Sequence, residues 1–97
     1  MATKEENILQ YRILTVPGFK QKHLDAAAKT GDTGRIATAL GQIAKAKGMK
    51  YVAFDTGLCR EGLYRTFGPK GNPPLSSLIK FASSLDVEIR LVPTQQN

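Results

Sequence analysis

The chain has 97 residues, with fourteen Lys and Arg against eight Asp and Glu, a formal net charge of +6. That length suits one domain of the usual ~100–150 residues, and 41% hydrophobic with 23% charged residues describes a globular chain, not a disordered one. One Cys, one His and no Trp exclude an internal disulfide and a structural zinc site of four Cys/His ligands, leaving Cys59 with His23 as the one arithmetically available nucleophilic pair.

Met1 to Asn7 is polar and is expected to fray at its start. It lacks the apolar stretch of a signal peptide, and no run in the chain nears the ~18 apolar residues of a membrane span. The expected location is therefore the cytoplasm, where a free thiol stays reduced. Ile8 to Val16 is rich in β-branched and aromatic residues, which predicts a strand. Both Leu9-Tyr11-Ile13 and Ile8-Leu14-Val16 are apolar, so it should be covered on both faces. Pro17-Gly18 ends it.

Phe19 to Lys29 fits a short helix with Leu24, Ala27 and Ala28 on one side. Thr30-Gly31-Asp32 breaks it, and Asp32 or Thr33 can cap the next helix, from about Gly34 to Lys47. Ile36, Leu40, Ile43 and Ala44 form its apolar stripe. Lys45 and Lys47 complement the dipole of its last turn, and Gly48 suits the position after its C-cap. Lys50 to Thr56 and Cys59 to Phe67 are two further short helices. Gly68-Pro69-Lys70-Gly71-Asn72-Pro73 is a loop, and Pro74 opens a helix to Leu85. Val87 to Val92 alternates apolar and polar residues, which predicts a strand with one buried face. The expected organisation is an N-terminal extension, 1–18, containing the first strand; a helical domain, 19–92, ending in the second; and a loose tail, 93–97.

The informative stretch is Lys50 to Phe67, which reads as helix, tight turn, helix, the pattern of a DNA-binding helix-turn-helix. Ala53 is small where the second helix crosses the first. Gly57 supplies the positive φ of a short turn. Leu58 and Leu63 fill the space between the helices, so Arg60, Glu61, Tyr64 and Arg65 face outward. A recognition helix needs such an outer face in the major groove. These four are the candidate base contacts: Arg suits a guanine edge, Glu61 a cytosine amine or the orientation of Arg65, and Tyr64 a thymine methyl or a phosphate. Tyr64 could instead pack on Phe67.

Thr30-Gly31-Asp32, Ile36 to Met49, Thr56 to Arg65 and Gly71-Asn72-Pro73 together resemble the antidote (antitoxin) family of addiction modules, a branch of the lambda-repressor/Cro-like helix-turn-helix domains. The run Gly57-Leu58-x-Arg60-Glu61-Gly62-Leu63-Tyr64 followed by Gly71-Asn72-Pro73 carries it, and His23 to Ala28 looks like the family's preceding helix. The resemblance covers about two-thirds of the chain. It implies a mainly α fold with a lambda-repressor-like domain, to which the residue pattern adds short N- and C-terminal β-strands. It also implies a regulator that binds its own operator, double-stranded DNA, and neutralises a RelE-like toxin encoded beside it. Cys59 stands where the family usually has Ser, whose hydroxyl would cap the helix and could meet phosphate better than a thiol does. The strand-like Ile8 to Val16 also departs from the family's acidic, helical start.

Lys50, Tyr51, Cys59 and Lys70 are the candidate phosphate contacts, with Lys45 and Lys47 nearby. Between residues 45 and 70 six cations face two carboxylates, a local surplus of four out of the total six. Such domains act as two-fold dimers, so a homodimer is expected. His23 reads as a surface helix residue. The serines at 76, 77, 83 and 84 lack a base, Gly68 to Gly71 lacks a P-loop lysine, and no cofactor, metal site or enzyme chemistry is expected. A solitary transcriptional regulator, or a protein-interaction module without DNA, stays open on the residues alone.

Overall fold

A computed structural model describes residues 3–94. It contains six helices: α1 Lys4–Thr15, α2 Phe19–Lys29, α3 Thr33–Lys47, α4 Met49–Thr56, α5 Arg60–Thr66 and α6 Leu75–Ser84. No helix among the described residues is long and apolar enough to cross a membrane. Residues 95–97 of the expected tail, and the first two of the expected fraying start, lie outside the described residues.

The fold is all-α: neither expected strand exists among the described residues. Ile8 to Val16 lies mostly inside α1. The chain starts that helix at Thr3, whose hydroxyl accepts the Glu6 N–H at 3.1 Å, the N-terminal half of a Thr-x-x-Glu capping box. Glu5 and Glu6 also complement the dipole of its first turn. The half-buried residues of α1 are Glu6, Leu9, Gln10 and Ile13, spaced i, i+3, i+4, i+7 as one helical face requires. The mixed apolar pattern that looked like a strand covered twice is therefore one packed helical face beside a second, exposed one bearing Ile8, Tyr11 and Leu14.

The second expected strand, Val87 to Val92, has no ladder either. Asp86 takes a left-handed φ of 60°, and two N–H groups turn back onto the end of α6, Asp86 to Ser83 and Val87 to Ala82. This is a Schellman arrangement. The chain then continues to residue 94 without helix or strand. Of the alternating apolar residues only Val87 packs against the core, while Ile89 and Leu91 are exposed, and among the described residues no neighbouring strand is available to complete a sheet.

Helix α3 is the hub, packing against α1, α2, α4 and α5, while α6 packs on α4. The core joins Ala37, Leu40, Ile43 and Ala44 of α3 to Met49 and Val52 of α4, Leu63 of α5, and Phe67, Phe81 and Leu85. The α3 stripe, Val52 and Leu63 fall where the helical period predicts, whereas in α6 the same period also marks Leu75 and Ile79, which are exposed. The loop after α5 is pressed onto its neighbours through glycines. A Cβ on Gly41 would lie 2.2 Å from the Phe67 carbonyl oxygen, and one on Gly71 would lie 1.8 Å from that of Thr66.

Candidate nucleic-acid interface

The site is built on α4, the turn at residues 57–59, and α5. Val52 is fully buried and seats α4 against the core. Gly57 ends α4 with φ 73°, and its N–H returns to the Ala53 carbonyl at 2.9 Å. Thr56 then fixes the turn. Its buried hydroxyl donates to the Val52 carbonyl at 2.8 Å and accepts the Leu58 N–H at 3.3 Å. No motif in the sequence gives Thr56 a role of its own, although a Thr before a turn glycine is a recognised local signal.

Leu63 is 1% exposed and anchors α5 from below. Arg60, Glu61, Tyr64 and Arg65 consequently share the exposed side of that helix. Among the described residues Glu61 makes no ion pair, so it does not bridge to Arg65. Among the described residues no ring pair joins Tyr64 to Phe67, whose ring stacks on Phe81. The Tyr64 ring is 43% exposed, with the Lys45 ammonium 5.6 Å from its centroid.

Cys59 is the exposed N-cap of α5, in extended conformation, and its Sγ accepts the Gly62 N–H at 3.3 Å. Leu58 is 40% exposed, so it fills the interhelical space only in part. Lys50 and Tyr51 open α4 together, both exposed, with Nζ 5.3 Å from the Tyr51 ring. Lys70 is exposed on the loop that folds back on the end of α5. The structure thus brings the four base-contact candidates onto one helix face with Lys45 at its flank, while Lys50 and Tyr51 form a separate pair.

Two lysines behave differently from a solvated helix end. Lys47 is held by Asp55 at 4.0 Å and donates to the Ser84 carbonyl, which uses it to join α3, α4 and α6. Lys45 lies 3.8 Å from the Glu6 carboxylate of α1. Phe54, which no sequence pattern singled out, is 87% exposed on α4. His23 is half-buried, not a free surface residue: its Nε2 lies 2.6 Å from the Gln42 Oε1 and its ring meets Phe19 edge-on. It borders an open groove of about 510 Å³ with Arg35, Thr38 and Pro69.

Comparison with known proteins supplies the family. The model of the family described as "Probable addiction module antidote protein" matches residues 17–93. An uncharacterised protein of Haemophilus influenzae is 32% identical over 71 residues, covering 73% of each chain. No solved structure matches the chain. The family match spans α2 to α6, with the turn and the α5 face inside it, and on both counts the chain belongs to the family described as "Probable addiction module antidote protein".

Proposed function

We propose that this chain is a sequence-specific DNA-binding antitoxin that represses its own operon and neutralises a RelE-like toxin. The observation that carries the DNA reading is the outward face of α5. Arg60, Glu61, Tyr64 and Arg65 are all exposed on a helix whose opposite side is anchored by Leu63. With the turn fixed by Gly57 and Thr56, α4 and α5 supply the two helices of a helix-turn-helix, α5 being the one that enters the major groove.

In this reading Arg60 and Arg65 read guanine edges, Glu61 is free to accept from a cytosine amine, and Tyr64 meets a thymine methyl or a phosphate. Lys50, Tyr51 and Lys70 grip the backbone and fix register. Cys59 is exposed at the same helix start, where amide N–H groups favour phosphate. The chain acts by holding partners, and the antidote family implies a toxin among them. A two-fold homodimer would set its recognition helices ~34–36 Å apart, one turn of DNA. Exposed apolar residues, Ile8, Tyr11 and Leu14 on α1 with Leu75 and Ile79 on α6, are surface of the kind protein partners cover.

The test is a fluorescence-anisotropy titration against the DNA upstream of the chain's own gene and against a scrambled duplex, with and without the product of the neighbouring gene. The reading expects tighter binding to the upstream DNA and a shift when the neighbour is added. Equal, salt-insensitive or absent binding to both duplexes would count against it.

A further inference from the structure

We propose that Glu6 is a built-in competitor of DNA phosphate for Lys45, so that the first turn of α1 restrains binding at the recognition face. This rests on the DNA-binding reading of α5. Three elements that are far apart in sequence meet at one flank of that face. The Lys45 ammonium of α3 lies 3.8 Å from the Glu6 carboxylate of α1 and 5.6 Å from the centroid of the Tyr64 ring of α5. The Lys45 and Glu6 side chains are 37% and 40% exposed, and Tyr64 is 43% exposed. None is sealed from a ligand lying across α5.

The arrangement suits exchange. A pair this exposed adds little to folding, and α1 has no fully buried residue to tie its first turn to the core. Lys45 can therefore leave Glu6 for a phosphate without disturbing Ile13, which packs against the core farther along α1. A phosphate offers Lys45 the same kind of charge-assisted partner. Glu6 also keeps a negative charge beside a face whose ligand is a polyanion, less compensated once Lys45 has left it. Lys45 also sits over the Tyr64 ring in a cation–π contact, which keeps its ammonium at the flank of the α5 face. Because phosphate carries no sequence information, the restraint acts on all duplexes alike.

The experiment is a double-mutant cycle on the full chain, read by anisotropy on the upstream and scrambled duplexes over a series of salt concentrations. E6Q is expected to tighten binding about two- to fivefold on both duplexes, the range of an exposed ion pair. K45Q is expected to weaken both and to make the salt dependence shallower by about one unit of log–log slope. The gain from E6Q should shrink when K45Q is already present. E5Q, which removes the same charge from the same turn, should give a smaller gain than E6Q. An E6Q variant that binds no tighter, or whose gain is undiminished in the K45Q background, overturns the proposal while leaving DNA binding intact. A wild-type chain that binds neither duplex at any salt overturns the DNA reading and this proposal with it.

Discussion

The rings of Phe67 and Phe81 lie face to face, with centroids 3.7 Å apart and planes within 9° of parallel. Phe67 closes α5 and Phe81 sits in α6, and both are at most 4% exposed. The stack therefore ties the end of the candidate recognition helix to an element that carries none of the candidate contacts. Phe81→Ala should cost about 3–5 kcal/mol, the usual loss for a buried aromatic that leaves a cavity. A domain of this size has only ~5–15 kcal/mol in total. Urea denaturation should show the midpoint falling with little change in slope. Phe54→Ala, at a site 87% exposed, should stay within about 0.5 kcal/mol of wild type. Similar losses for the two variants would contradict the assigned core.

Gly41 makes a sharper test, because two effects oppose each other. In the middle of α3, alanine is favoured over glycine by about 1 kcal/mol on helix propensity. A Cβ there would lie 2.2 Å from the Phe67 carbonyl oxygen, which is backbone and cannot swing aside. The clash should win, and Gly41→Ala should lose about 1–3 kcal/mol. For a chain of this length that corresponds to roughly 4–8 °C in Tm per kcal/mol, readable by thermal melting. A stabilised variant would mean that α3 and the loop after α5 are farther apart than described.

These packed helices were the legible part of the sequence. The stripe Ile36, Leu40, Ile43, Ala44 and the pair Val52 and Leu63 follow the 3.6-residue period, and all but the half-buried Ile36 are core. Gly57 marked the turn because its positive φ is a local requirement. Ile8 to Val16 misled because composition favours a strand there, while the deciding signal, Thr3 three residues before Glu6, lies upstream of the apolar run. Val87 to Val92 misled for another reason: alternation describes one strand, but a sheet needs a partner that the fold does not provide. The links from Glu6 through Lys45 to Tyr64, and from Lys47 to Asp55 and Ser84, were out of reach. They depend on how α1, α3, α4, α5 and α6 are juxtaposed, and no local pattern encodes that.

The buried hydroxyl of Thr56 serves both ends of the turn between α4 and α5. Thr56→Val keeps the shape and leaves the Leu58 N–H without its side-chain partner. A loss of about 1–2 kcal/mol is expected, together with weaker binding to the upstream duplex because the angle of α5 is no longer fixed. Thr56→Ser keeps the hydroxyl and should recover most of both. Denaturation and anisotropy on the same preparations would show whether stability and binding move together, as a shared turn requires.

Arg60 and Lys70 separate sequence reading from backbone grip. Arg60→Ala should cost about 1–3 kcal/mol on the upstream duplex and much less on a scrambled one, which relaxes preference. Lys70→Ala should weaken both about equally and reduce the salt slope by about one. Both side chains are exposed, so neither change should disturb the fold. Equal losses on the two duplexes for Arg60→Ala would argue that this guanidinium meets phosphate, not bases.

Cys59 caps α5 with the wrong atom for the task. Its Sγ accepts the Gly62 N–H at 3.3 Å, and sulfur is a weak acceptor where the preferred N-caps offer oxygen. Cys59→Ser should therefore raise stability by about 0.5–1 kcal/mol, whereas Cys59→Ala should lose less than the ~1 kcal/mol typical of removing a serine cap. The same hydroxyl would stand at the exposed start of α5, where a backbone phosphate would pass. A modest gain in affinity on upstream and scrambled DNA alike is then expected, with discrimination between them unchanged. Thermal melting and anisotropy on the Ser and Ala variants separate the two effects. A serine that stabilises without tightening binding would confine residue 59 to capping and remove it from the phosphate contacts.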